Sequence, residues 1–137
     1  MDAAADAIVE ELTSSQSWQL VRDAPMGRLA VVLGEGPEIF PVNHVVDHGS
    51  VVFRTAEGTK LQGAVGRAVA YEVDGLDDSG RVWSVVVKGH AHEVRQLHDV
   101  IDVLGLALFP WQSGAKPHYV RIQAEQVTGR RFVPVRR

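Results

Sequence analysis

The chain has 137 residues, 45% of them hydrophobic and 23% charged, the balance of one soluble globular domain with a single core rather than of a disordered chain. A formal net charge of -3 argues against a general nucleic-acid binder, and the absence of cysteine excludes disulfides, thiolate catalysis and Cys-based metal sites. No apolar run approaches the ~20 residues of a membrane-spanning helix. The acidic start lacks the basic residues of a secretory signal, so the cytoplasm is the expected location.

In chain order, residues 3–12 place Ala4, Ala7, Ile8 and Leu12 at helical spacing. A second helix, capped by Ser14 or Ser15 and carrying Trp18 and Val21, ends near Pro25-Met26-Gly27. Short β-rich runs then follow. Residues 28–33 and 38–46 flank the turn Gly34-Glu35-Gly36-Pro37, and Asp47-His48-Gly49 turns the chain into a strand over residues 50–55. Residues 67–73 predict a fourth strand, and residues 81–94 a long fifth one with Gly89 as a bulge or kink. A helix over residues 96–108 and a loop over 109–117 precede a last strand over 118–124, extendable to Val133. The expectation is a mainly β, α+β fold: a six-stranded antiparallel split barrel with short flanking helices, one domain over residues 1–137. Its strands do not alternate with crossover helices, which argues against a doubly wound sheet.

The segment most suggestive of function is Arg54-Thr55-Ala56-Glu57-Gly58-Thr59-Lys60. It gathers two cations, hydroxyls and a glycine after an apolar strand and before a segment, Leu61 to Val65, that could start a helix. Those groups suit a phosphate: opposite charge, hydroxyl donors and backbone N–H groups. The plainer reading is a solvated strand end.

Further segments give that stretch a context: Gly27-Arg28-Leu29-Ala30, Pro41-Val42-Asn43-His44-Val45, Trp83-Ser84-Val85-Val86-Val87-Lys88-Gly89, Tyr119-Val120-Arg121-Ile122 and Val127-Thr128-Gly129-Arg130-Arg131. In this order the chain resembles the pyridoxamine 5'-phosphate oxidase-like proteins with the FMN-binding split barrel, above all their small actinobacterial flavin- and deazaflavin-binding branch. The resemblance covers roughly residues 15–133. It implies a homodimer with a flavin in each of two interface grooves: FMN, or alternatively FAD or a deazaflavin (coenzyme F-420). It implies that Arg54, Thr55, Thr59 and Lys60 hold the phosphate and that Pro41, Val42 and Asn43 line the isoalloxazine ring. Trp83, Ser84 and Val85 would contribute from the paired strand or the partner, and Trp111 would cover the ring from across the dimer.

The implied activity is hydride transfer to or from a small substrate, with the chemistry carried by the cofactor. No general acid or base is evident, and His44 is the candidate because an imidazole can exchange a proton near neutral pH. Alternatives are a flavin-binding or -sequestering protein without turnover and a haem-binding relative. The substrate Arg-x-His signature of the oxidase itself is absent; Arg95-Gln96-Leu97-His98 has the wrong spacing. His90 and His92 project together from one strand, as metal ligands can, but Lys88 on the same face would repel a cation, so a solvent-facing stripe is expected. The arginines Arg130, Arg131, Arg136 and Arg137 read as a solvated tail.

Overall fold

The computed structural model describes residues 9–56, 61–95 and 117–134. Their elements are β1 (Glu10–Leu12), α1 (Ser14–Asp23), β2 (Met26–Leu33), β3 (Gly36–Asp47), β4 (Ser50–Ala56), a 3-10 turn (Gln62–Ala64), β5 (Ala68–Leu76), β6 (Val82–Glu93) and β7 (Pro117–Phe132). All strand pairs are antiparallel, and six strands close a ring in the order β7-β4-β3-β2-β5-β6 because β7 pairs with both β4 and β6. This is the expected six-stranded barrel. Closure leaves the ring without a free edge strand.

The ring follows from period-two patterning. Along β6, Trp83, Val85, Val87 and Ala91 point into the barrel, while Ser84, Val86, Lys88, His90 and His92 alternate with them outward. Leu29, Val51, Phe53, Tyr71, Val73, Val120 and Ile122 complete a fully buried interior. At about 25 cal/mol per Å² of apolar surface removed from water, each contributes on the order of 2 kcal/mol. One barrel end is covered by α1, whose Ser17 and Val21, one helical turn apart, are buried. The other receives the 3-10 turn, which buries Ala64.

β7 can serve two neighbours because it is long and bulged. Lys88 pairs with Gln126 and Gly89 with Ala124, so Glu125 is the extra residue. The β7 backbone there comes so close that a Cβ on Gly89 would lie 2.0 Å from the Gln123 carbonyl oxygen. The irregularity expected at Gly89 is present, but the extra residue lies on β7, and glycine at position 89 lets the bulged backbone come this close.

Other boundaries differ from expectation. Residues 10–12 form a strand rather than helix: β1 pairs with Gly129, Arg130 and Arg131, and the Glu10 carboxylate lies 3.7 Å from Arg131 and 3.6 Å from Arg81. Backbone pairing with β7 overrides the helical spacing there, and Arg130 and Arg131 belong to the sheet, not to a solvated tail. Thr13, not Ser14 or Ser15, caps α1: its hydroxyl accepts from the Gln16 N–H while the Gln16 side chain accepts from the Thr13 N–H. Residues 61–65 supply only a 3-10 turn, too short for a helix dipole to act on an anion. The expected helix over residues 96–108 and most of the expected helix over 3–12 lie outside the described residues. No described helix is long and apolar enough to cross a membrane.

Gly89→Ala is expected to destabilise the protein by about 2–4 kcal/mol, since backbone rather than a movable side chain blocks the added methyl. Lys88→Ala, at an exposed outward position, is expected to stay within about 0.5 kcal/mol. Urea unfolding of the two variants measures the difference.

Candidate functional site: the cleft between β3 and β4

β3 and β4 form a hairpin that comes apart. Their ladder runs from Asp47↔Ser50 to His44↔Phe53 and stops, one residue short of where Asn43 would face Arg54. Beyond that point β3 stays with β2 through Met26↔Asn43, Gly27↔Val42 and Arg28↔Pro41, while β4 stays with β7 through Arg54↔Tyr119 and Thr55↔His118. A cleft therefore opens with Pro41, Val42 and Asn43 on one bank and Arg54 and Thr55 on the other.

What holds β3 back is a buried hydrogen-bonded clamp. His44 lies against Tyr71 of β5, with Nδ1 2.6 Å from the phenol oxygen, and against α1, with Nε2 2.8 Å from the Val21 carbonyl. A carbonyl only accepts, so Nε2 carries the proton and Nδ1 accepts from the Tyr71 hydroxyl. That hydroxyl also sits 3.2 Å from the Val42 carbonyl, and the His44 N–H donates to the Pro25 carbonyl at 3.2 Å. The rings meet edge-on with centroids 5.1 Å apart. Gly27 makes room: a Cβ there would lie 2.6 Å from the Tyr71 ring. Burial pushes the Tyr71 phenol well above its ordinary range, so it stays a neutral donor. Burial likewise lowers His44, opposed by its bond to the Val21 carbonyl.

His44, the acid–base candidate of the sequence, lies in the interior. It is 5% exposed and both its nitrogens are engaged.

The remaining expected site residues divide by strand parity. Pro41 and Asn43 face outward and are exposed, whereas Val42 packs in the core and offers only its backbone. Arg54 faces outward, its guanidinium 6.0 Å from the centroid of the Tyr119 ring, and Thr55 faces inward, nearly buried. Of the β6 trio, Trp83 and Val85 are interior, Trp83 lying over Gly75, where a Cβ would come within 2.9 Å of its ring. Ser84 alone turns outward. Thr59, Lys60 and Trp111 lie outside the described residues.

β3 and β6 lie three strands apart whichever way the ring is followed. Outward side chains of Pro41 and Asn43 therefore point away from Ser84 of the same chain. Between them the outer surface carries Arg28, which bridges Glu72 at 2.9 Å and Asp74 at 2.7 Å.

Sequence reasoning passed over a second polar cluster beside the β4 bank. His118, the ladder partner of Thr55, places Nδ1 2.9 Å from a Glu93 oxygen, and the other Glu93 oxygen accepts from Gln62 at 3.0 Å and Arg95 at 3.3 Å. The hydrogen bond from His118, with the help of Arg95, holds the Glu93 carboxyl below its ordinary range. Nothing in the spacing of residues 62, 93, 95 and 118 signals it; only the ladder brings them together. His90 meets Glu125 at 3.1 Å, and no group of three or more metal-ligating side chains occurs among the described residues.

The model of the family described as pyridoxamine 5'-phosphate oxidase matches residues 13–131, and the chain belongs to that family. The chain is 37% identical to a solved FAD-binding protein from Mycobacterium smegmatis, with a TM-score of 0.80 over 93% of this chain and 98% of that one. A conserved protein of unknown function from Corynebacterium diphtheriae is 36% identical, with a TM-score of 0.80 over 91% of this chain and 98% of its own. An uncharacterized Mycobacterium tuberculosis protein is 39% identical over 132 residues, covering 91% of this chain and 86% of the relative.

Because burial depresses His44 in the folded state, the unfolded chain binds the extra proton below about pH 6.5. Stability contributed by the neutral ring is present above that pH and is lost as pH falls from it toward the folded value. His44→Gln is expected to be less stable at neutral pH but to show a shallower loss between about pH 7 and pH 5. Urea midpoints of both proteins across that range check the sign.

Proposed function

We propose that this protein binds a phosphorylated flavin in the β3–β4 cleft, completed by a second copy of the chain, and uses it for hydride transfer to or from a small substrate. The observation that carries the reading is the parting of β3 from β4 after His44↔Phe53, which sets Asn43 and Arg54 on facing banks. Arg54, with the backbone of Thr55 and followed in the sequence by Thr59 and Lys60, would hold the phosphate. Pro41, Asn43 and the Val42 backbone would position the ring, and Ser84 would approach from the partner. The bank fits an anionic ligand: the Arg54 guanidinium on β4, beside the Tyr119 ring of β7, faces outward. FAD is favoured over FMN and deazaflavin by the name of the Mycobacterium smegmatis relative.

The bound flavin would supply the redox chemistry, and the chain would supply orientation and exclusion of water. With His44 engaged on both sides, no side chain of the β3 bank is an acid or base. That favours, as a second reading, a protein that holds flavin without turnover.

A dimer is supported by the outward face of the β2–β3 hairpin. Val32 is 62% exposed and Ile39 67%, and Pro37 lies opposite Val32. Contiguous apolar surface of this kind marks an interface. In this account Val32→Glu combined with Ile39→Lys yields a monomer by light scattering and abolishes flavin binding by fluorescence titration while the far-ultraviolet dichroism is retained. A monomeric variant that still binds flavin would separate the site from the dimer.

A further inference from the structure

The side chain of Arg28 is 53% exposed, although Glu72 and Asp74 both hold its guanidinium. All three stand on the outer face of β2 and β5, and no part of the flavin site uses them. The ladders set the outward residues of β3, β2, β5 and β6 in rows across the strands. One row is Pro41, Arg28, Glu72 and Val86; the next is Ile39, Ala30, Ala70 and Lys88. On the other side of the first row, Asn43 pairs with Met26 and Asp74 with Ser84. Arg28 and Lys88 balance Glu72 and Asp74, so the charges of this face cancel.

Two convex barrels that touch along the line between β2 and β5 leave a groove on each side of the contact. With a two-fold axis along that line, parallel to the strands, β3 of one copy and β6 of its partner wall each groove. Every row then meets the same row of the other copy. This operator turns Asn43 toward the partner's Ser84 in both grooves at once, as the shared-groove reading requires. It also fixes the middle of the rows. Arg28 faces the partner's Glu72, with the partner's Asp74 beside it, and the reciprocal contact forms across the axis. Ala30 faces the partner's Ala70, and side chains this small let the two seams come close. Val32, on the same strand, adds an exposed apolar side chain to the contact.

We propose that a second copy docks on the seam between β2 and β5, about a two-fold axis parallel to these strands, with Arg28 pairing across the axis with the partner's Glu72 and Asp74. The assignment rests on the shared-groove reading and gives that reading an orientation. The charges set the register: moving the axis onto β2 or β5 would put arginine against arginine or carboxylate against carboxylate.

The test is a charge exchange between two variants, Arg28→Glu and Glu72→Arg, followed by light scattering and native mass spectrometry. Each alone puts like charges across the axis twice and is expected to weaken its homodimer roughly hundredfold while keeping its far-ultraviolet dichroism. Mixed in equal amounts, the two restore opposite charges at both contacts. The heterodimer is expected to form nearly as tightly as wild type and to bind FMN by fluorescence titration. An ion cluster internal to one chain gives no such rescue, because each variant keeps its own like-charged pair. Folded variants that dimerise as wild type does, or a mixture no more dimeric than its parts, overturn the seam and leave the shared groove standing with another docking geometry.

If either variant fails to fold, crosslinking decides instead, in a chain with no cysteine of its own. A short bismaleimide is expected to join two Ala70→Cys chains but not two Gln123→Cys chains, since β7 lies on the far side of the ring. A dimeric Ala70→Cys protein that does not crosslink overturns the proposal. A wild type that binds FMN one to one as a monomer overturns the shared groove and this assignment with it.

Discussion

The hydrogen-bonded clamp between His44, Tyr71 and the Val21 carbonyl decides where β3 goes, and the site depends on that decision. A barrel this small is most simply closed by pairing each strand along its whole length. Here β3 is drawn toward β2, β5 and the end of α1 by two buried bonds from one imidazole, while β4 follows β7. The ring stays closed and still opens locally between two of its members. Removing one partner of such a network leaves another unsatisfied in the interior, at about 1–3 kcal/mol per group. The clamp therefore couples stability to the shape of the cleft.

The same parity that builds the core sorts the residues available to a ligand. Alternation sends Val42, Trp83 and Val85 inward and leaves Pro41, Asn43 and Ser84 outside. Since β3 and β6 sit on opposite sides of the ring, one chain cannot bring the two outward sets together. A groove that used both would have to be shared, and in the proposed dimer the exposed Val32 and Ile39 would offer the second copy an apolar surface.

Much of this was legible in the sequence, for physical reasons. Period-two runs bounded by glycine turns set the strands, and Gly89 marked the bulge because only glycine tolerates a backbone so near. Pro41–Asn43 and Arg54–Thr55 stand on the two strands that part after His44↔Phe53, a parting that no local pattern signals. What escaped was whatever depends on partners distant in the chain. Residues 10–12 form a strand rather than a helix because their ladder partners, Gly129 to Arg131, lie far along the sequence. His44 offered an imidazole of ordinary reactivity until Tyr71 and Val21 were found on either side of it. The Glu93–His118 pair is created by the barrel alone.

The central claim is that each groove is built from two chains, and subunit mixing tests it most directly. Arg54→Glu would disable the β4 bank and Ser84→Trp the β6 face, so neither homodimer should bind flavin. Unfolded together in equal amounts and refolded, the two variants form mixed dimers in which one groove is intact and the other carries both changes. The account predicts recovery of about a quarter of wild-type flavin capacity, the statistical share of intact grooves. No recovery from folded, dimeric mixtures would contradict it.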